Sequence, residues 1–278
     1  MMTIREATEW ATGELASHTS PRLEAEMMLS YLLGWQRHRL YLEHDAHLPA
    51  DILDRYTESV ERRKTREPLQ HILGECEFYG RPFSCGPAAL VPRPETEILL
   101  ESFHRALPST PDRLLDVGTG SGILGISLAL DYPLALVVGT DSSTDAVELA
   151  ASNRQRHGAV NYRPLCGDML TPFNETPSFD GIIANLPYVS TGELAGLEPE
   201  VRDWDPHLAL DGGSDGLDLV RRLVTAAPSI VVPGGVLALE LAPGQVPEVT
   251  VILEADGWLA VSVAHDLAGR ERVITAVR

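Results

Sequence analysis

The chain has 278 residues, 44% of them hydrophobic and 22% charged, the balance of an ordinary globular protein with room for one large or two modest domains. Its net charge is −18 and Lys64 is the only lysine; such an acidic body repels phosphate backbones, so no direct nucleic-acid partner is expected. The three cysteines, Cys76, Cys85 and Cys166, lack metal-ligand spacing, so no metal site is expected, and an odd number suits a reducing compartment. The segment Met1-Met2-Thr3-Ile4-Arg5-Glu6-Ala7 lacks the apolar core of a signal peptide. No run approaches the roughly 18 apolar residues of a membrane span, so a cytoplasmic protein with no membrane partner is expected.

Residues 3 to about 66 read as helices. Thr3 with Glu6 has the capping-box pattern, and Ser20-Pro21 sets an N-cap residue before proline at the first helical position. Leu23, Met27, Tyr31 and Leu32 then recur at helical spacing, which assigns them, with Met28, to a helix-bundle core. Another helix is predicted over 51–66, with Ile52, Tyr56 and Val60 on one face. Its last turn, Arg62-Arg63-Lys64-Thr65-Arg66, reads as a solvated terminus whose cations offset the helix dipole. Turn formers at Gly74, Gly80-Arg81-Pro82 and Gly86-Pro87 separate 75–79 from 83–85, which predicts a short hairpin linker. A helix follows over about 95–107.

After Pro111 short apolar runs alternate with helical stretches. Strands are predicted at 113–117, 135–140, 161–166, 179–184, 235–241, 258–265 and 272–277. Helices fit near 121–131, 143–157, 214–227 and 245–256. This alternation implies an α/β fold, a doubly wound and mostly parallel sheet covered on both faces. Only six residues, Asp266 to Glu271, join the last two strands, too few for a crossover helix, so those strands should pair antiparallel. The expected organisation is a helical domain over 1–73, a hairpin linker over 74–94 and an α/β domain over 95–278.

Two short segments carry the chemistry. In the first, Asp116, Gly118, Thr119, Gly120, Ser121 and Gly122 leave a strand and enter a helix. Glycines there let backbone approach a ligand closely, and the helix start supplies free N–H groups. Residues 120–125 also satisfy the dinucleotide pattern G-x-G-x-x-G, which alone is weak evidence. Asp116 favours S-adenosylmethionine over NAD, because a carboxylate before the loop would repel a pyrophosphate but suits a cationic methionine end. Asp141 closes the next strand, placed to accept from ribose hydroxyls, as either cofactor requires. Asp168 and Met169 end the third strand, where they would meet the adenine amine and ring.

The second segment is Asn185-Leu186-Pro187-Tyr188, which follows the fourth strand. It resembles the Asn/Asp-Pro-Pro-Tyr box with which S-adenosylmethionine-dependent enzymes hold a planar NH2 group. The Asn185 carboxamide oxygen and the Leu186 carbonyl can each accept one N–H, and Tyr188 would stack on the planar group. Asn185 would thus touch both substrate and cofactor. A parallel sheet ending in an antiparallel hairpin is also the layout of class I methyltransferases.

Longer motifs resemble the release factor glutamine methyltransferases of the PrmC/HemK type. They are Arg66-Glu67-Pro68-Leu69-Gln70-His71-Ile72-Leu73-Gly74, Val91-Pro92-Arg93-Pro94-Glu95-Thr96-Glu97, Glu198-Pro199 with 209–217, and Asp266-Leu267-Ala268-Gly269-Arg270-Glu271-Arg272. The resemblance implies a helical N-terminal domain that docks the protein substrate. It also implies methylation of the glutamine side chain in the Gly-Gly-Gln loop of peptide-chain release factors, with S-adenosylmethionine as cofactor. The family has proline where this chain has Leu186, which keeps the carbonyl acceptor but loses the fixed φ. The box is also similar to that of rRNA adenine dimethyltransferases, and a sister family methylates a glutamine of a ribosomal protein. Against adenine stand the acidic charge and the 91–97 signature; the latter also fits the release-factor branch better. A class I fold kept only for binding would predict damage at Asp116, Gly120, Asp141 or Asn185, and all four are intact.

Overall fold

A computed structural model describes every residue except Met1, Pro108, Ser109, Asn174, Glu175 and Pro177. In chain order the elements are α1 (Ile4–Glu14), α2 (Pro21–Leu33), α3 (Arg37–Leu42), α4 (Ala50–Lys64) and α5 (Leu69–Leu73). The hairpin β1 (Glu75–Phe78) and β2 (Arg81–Ser84) follows, then α6 (Glu95–Ala106), β3 (Arg113–Val117), α7 (Ile123–Asp131), β4 (Leu136–Asp141) and α8 (Thr144–His157). Next come β5 (Tyr162–Cys166), β6 (Phe179–Ala184), α9 (Pro199–Arg202), α10 (Asp218–Ala226), β7 (Val231–Glu240), α11 (Val246–Ala255), β8 (Leu259–His265) and β9 (Glu271–Val277). The described residues form two compact units. One takes the chain up to Glu75 together with Glu198–Trp204, and the other takes Cys76–Leu197 with Asp205–Arg278.

In the first unit α1 opens on the expected capping box. Glu6 N donates to Thr3 Oγ1 (3.2 Å) and Thr3 N to Glu6 Oε2 (2.8 Å), so two otherwise orphaned N–H groups are satisfied. α2 starts at Pro21 and stops at Gly34, whose φ of 64° ends the helix in the left-handed region. Its buried face corrects the periodicity reading. Ala25, Met28 and Leu29 enter the core with Tyr56 and Val60 of α4, whereas Leu23, Met27 and Tyr31 are exposed. Both faces of α2 carry apolar residues, so spacing alone assigned the wrong phase.

The cationic run also departs from expectation. Arg63 is buried, donating from Nε to Glu24 Oε2 (2.8 Å), from Nη1 to the Glu67 carbonyl (2.9 Å) and from Nη2 to Glu200 Oε1 (3.2 Å). A buried guanidinium persists only when paired in this way. Lys64 pairs with Glu14 and Glu61 near the surface.

The second unit is built on a seven-stranded sheet in the order β5-β4-β3-β6-β7-β9-β8. Pairings are parallel from β5 through β7, while β9 runs antiparallel to both β7 and β8. Side chains alternate between the faces, as strand geometry requires. Leu114 and Ile183 join one cluster with Leu99 and Phe103 of α6, Leu124 of α7, and Phe78 and Phe83 of the hairpin. Leu115, Val117 and Ile182 join the other, with Leu223 of α10 and Val249 of α11. Among the described residues no helix is long and apolar enough to cross a membrane, and no His/Cys/Asp/Glu group could hold a metal.

Tight packing beneath the cofactor loop depends on Gly139 in β4. A Cβ there would overlap the hydroxyl of the fully buried Tyr162 and approach Thr119 Oγ1 to 2.7 Å. Overpacking a core position costs about 1–3 kcal/mol. Gly139→Ala is therefore expected to lower the free energy of unfolding by about 1–3 kcal/mol, read as a lower urea midpoint at unchanged m, without changing its secondary structure by circular dichroism.

Candidate active site

The register of β3 on β6 pairs Val117 with Ala184, the last residue of each strand. The chain leaves the sheet side by side, as Gly118 on one strand and Asn185 on the next. They are so close that a Cβ on Gly118 would stand 3.3 Å from Leu186 Cδ2 and 3.7 Å from the Asn185 carbonyl oxygen. This edge opens on a cavity of about 420 Å³, a size suited to a small-molecule ligand. Its wall includes Val117, Gly118, Gly120, Asp141, Asp168, Met169, Asn185, Leu186 and Pro187, together with Ala88–Leu90, Pro206 and Leu208.

Gly118, Gly120 and Gly122 have φ of 73°, 53° and 84°, a left-handed backbone that side-chained residues rarely adopt. Asp141, closing β4, accepts from Gly120 N at Oδ2 and from Ser143 N at Oδ1, both at 2.9 Å. Each oxygen keeps a second lone pair for a ligand hydroxyl. Asp168 and Met169 also reach the cavity, Met169 with a φ of 52°. Asp168 Oδ2 accepts from Arg222 Nη2 at 2.6 Å, so the carboxylate expected at an adenine amine is already engaged by a cation on α10.

Asp116 requires a correction. It lies behind the wall, fully buried, and its Oδ2 accepts from Thr119 Oγ1 (2.5 Å) and Gly125 N (2.9 Å) while Oδ1 has no partner. Thr119 and Ser121 are buried behind the wall as well, and Gly122 packs against Ile126 and Ala150. These residues shape the loop from beneath; Asp116 does not meet the cavity as a counter-charge.

The box after β6 is braced on both sides. Leu186 is 5% exposed and joins the core cluster beside Gly118, which gives its side chain a place where the family has proline. Gly212 and Gly216 pack on the box backbone, where a Cβ would overlap the carbonyl oxygens of Pro187 and Tyr188 respectively. Gly212 N also donates to the Val189 carbonyl (2.8 Å), continuing the bridge between Val189 and Asp211. Tyr188 is not brought onto the wall. Its hydroxyl faces Glu240 Oε1 at 3.5 Å, its carbonyl accepts from Gln245 Nε2 (3.0 Å), and burial pushes the phenol up to about 12.

Three contributors carried no readable chemical signal in the sequence. Thr96 Oγ1 lies 3.1 Å from Asn185 Nδ2. Glu240, at the end of β7, is 2% exposed and burial pushes its carboxyl up to about 7, against the pull of the Thr96 hydroxyl and the Arg272 charge. Asp205 accepts from Val91 N (3.2 Å) and Arg93 Nη2 (2.9 Å), tying the Ala88–Leu90 wall to the Pro206 wall. The 91–97 motif contains Thr96, Val91 and Arg93, but nothing in it announces the contacts, and Asp205 and Glu240 lie outside the motifs.

The residues present fit an adenosyl sulfonium. A glycine cradle in left-handed backbone lies beside Asp141 as diol acceptor, and Asp168 stands on the same largely apolar wall. Two family models match the chain, the PrmC N-terminal domain over residues 6–74 and the methyltransferase small domain over residues 94–196. The release factor glutamine methyltransferase of Geobacter sulfurreducens is 41% identical over 274 residues, covering 98% of this chain and 95% of the relative. The chain belongs to the release factor glutamine methyltransferase family. Another relative with that name, from Deinococcus radiodurans, is 40% identical and covers 100% of this chain and 99% of its own length. Among solved structures, a Pyrococcus furiosus methyltransferase superposes with a TM-score of 0.55 at 19% identity, covering 72% of this chain and 90% of that one. The T. thermophilus 16S rRNA N2 G1207 methyltransferase, in complex with AdoMet and guanosine, gives 0.53 at 22%, covering 73% and 49%. These two likenesses establish the fold, that of the class I methyltransferases.

Burial pushes Asp116 up to about 7, with Thr119 and Gly125 pulling the other way. An acid whose pKa rises on folding favours the native state while protonated, and this contribution is lost as pH climbs from about 4 through about 7. Asp116→Asn keeps one acceptor oxygen for both donors and removes the titration. Urea denaturation between about pH 5 and pH 8 is expected to show a stability less dependent on pH than that of the wild type, with the variant gaining on the wild type towards pH 8.

Proposed function

We propose that this protein transfers a methyl group from S-adenosylmethionine to the side-chain amide nitrogen of the glutamine in the Gly-Gly-Gln loop of peptide-chain release factors. One observation carries the reading: Asn185 and Leu186 share a single cavity wall with Gly118, Gly120 and Asp141. An acceptor pair for an NH2 group therefore stands beside a nucleoside cradle.

When bound, the cofactor supplies an electrophilic methyl group on a good leaving group. The protein's share of the work is then placement. Asp141 accepts the ribose hydroxyls while Gly120 and Ser143 hold its carboxylate still. Asn185 Oδ1 and the Leu186 carbonyl each accept one N–H of the substrate amide, which fixes the nitrogen and favours loss of its conjugation with the carbonyl. With S-adenosylmethionine bound, an amide nitrogen held there would be set to take its methyl group, the S–CH3 bond breaking to leave a neutral thioether and one N–H proton passing to solvent; such orientation alone can be worth several orders of magnitude in rate. Pro187 and Leu186 line the same wall. Asp116, Thr119, Ser121 and Gly122 keep the loop in shape. The helical domain over 1–73 docks the body of the release factor, and the acidic surface disfavours bare RNA as the substrate.

Labelled methyl transfer to purified unmethylated release factor is the test, run beside a Gln→Ala version of the Gly-Gly-Gln loop and bare rRNA. Label is expected on the wild-type factor alone, and label on RNA instead would overturn the reading. Asn185→Ala is expected to lower the rate by about 100-fold or more, in the range seen when one positioned polar group is removed from an active site.

A further inference from the structure

Between β2 and α6 residues 85–94 belong to neither helix nor strand, yet Ala88, Ala89 and Leu90 form part of the cavity wall. They press on the cofactor loop, since a Cβ added to Gly120 would stand 3.6 Å from that of Ala89. A second stretch, with Pro206, Leu208 and Ala209, completes that part of the wall. Its far end is fixed to the acceptor box, where Val189 N donates to the Leu210 carbonyl (3.1 Å). Backbone that lacks a ladder or a helix opens locally at low cost, so what holds residues 88–90 in place matters to any ligand beneath them.

One carboxylate joins the two stretches. The Asp205 side chain is fully buried; its Oδ1 accepts from Val91 N (3.2 Å) and its Oδ2 from Arg93 Nη2 (2.9 Å). Burying a carboxylate so completely opposes folding unless an opposite charge and hydrogen bonds offset it. Both of these partners come from the 85–94 stretch, and Asp205 itself directly precedes Pro206. The pairing that offsets the burial of Asp205 is thus the one that ties the two parts of the wall together. We propose that Asp205 and Arg93 are positioning residues for the cofactor, their ion pair latching residues 88–90 against the Gly120 loop and so setting how long S-adenosylmethionine stays in the cavity. The inference rests on the reading of this cavity as the cofactor site.

The test compares full-length wild type, Arg93→Met, Arg93→Lys, Asp205→Asn and the Arg93→Met/Asp205→Asn double variant. S-adenosylmethionine Kd is measured by calorimetry and its release by chase of labelled cofactor. Amide hydrogen exchange is followed on the ligand-free proteins, and folding by thermal unfolding. Affinity falls in proportion to the fraction of molecules that hold the competent wall, so Arg93→Met is expected to weaken Kd about tenfold, mainly through faster release. The same variant speeds exchange of the Ala89, Leu90 and Val91 amides while those of β3 and β6 stay protected. Arg93→Lys keeps a cation and recovers part of the affinity. Asp205→Asn keeps an acceptor for Val91 N but loses the charge and matches Arg93→Met, and the double variant is no worse than the poorer single one, as for two halves of one pair. The Arg93 variants decide on their own where Asp205→Asn does not fold. An Arg93→Met protein with wild-type Kd and release rate would overturn the latch, as would weaker binding accompanied by equally faster exchange in β3 and β6, the mark of general loosening. A wild type that binds no S-adenosylmethionine overturns the cofactor reading of the cavity and this inference with it, whereas a wild type and an Arg93→Met that bind equally tightly overturn only the inference.

Discussion

Val117 and Ala184 are neighbours because two parallel strands, far apart in the chain, pair in one register. Shifting β6 by one residue would turn Ile182 and Ala184 out of one core cluster and Ile183 out of the other, so burial on both faces holds the register. That same register sets Gly118 against Leu186. Cradle and acceptor box are therefore positioned by the hydrophobic core, and the loops need only follow the strands that end beneath them. Ligand sites at the carboxyl edge of open α/β sheets owe their precision to this arrangement.

Around that edge the protein buries acids that few cores would accept. Asp116 and Glu240 are both nearly inaccessible, each is pushed up to about 7, and each retains one oxygen without a partner. Desolvation of such groups opposes folding unless hydrogen bonds offset it. What the molecule gains is direction. Asp116 ties Thr119 and Gly125 across the glycine turn, while Glu240 faces the Tyr188 hydroxyl. The glycines at 212 and 216 serve the same end by a different route, since only the absence of a side chain lets their loop lie on the box backbone.

Much of this was legible because the relevant patterns are local. β3 and β6 coincide residue for residue with the predicted runs, and the Thr3–Glu6 capping box forms as read. The antiparallel end of the sheet followed from a connection too short for a helix, although the insertion of β9 between β7 and β8 did not. Where apolar residues surround a helix, as at Met27, Met28 and Leu29, periodicity loses its phase and the neighbours decide. The burial of Arg63 depends on Glu24 and Glu200, one of them 137 residues away, and composition cannot show a pairing at that range. Asp168 was readable as a strand-end acid, but its partner Arg222 lies 54 residues on. Asp116 was assigned by its charge and its place before the loop, whereas its side-chain direction depends on Gly125 and Thr119.

The placement of β9 has a bearing on how the chain folds. Until residues 271–277 have been made, β7 has an open edge and β8 has no partner in the sheet, so these strands cannot close by zipping along the sequence. The helical unit likewise recruits Glu198–Trp204, more than a hundred residues downstream of its other helices. Each unit therefore waits on a late segment, and long-range pairings of this kind slow folding because the loop must close before contacts repay it. The exposed edge of β7 during that interval is the point at which a chaperone, or a second nascent copy, would first find something to bind.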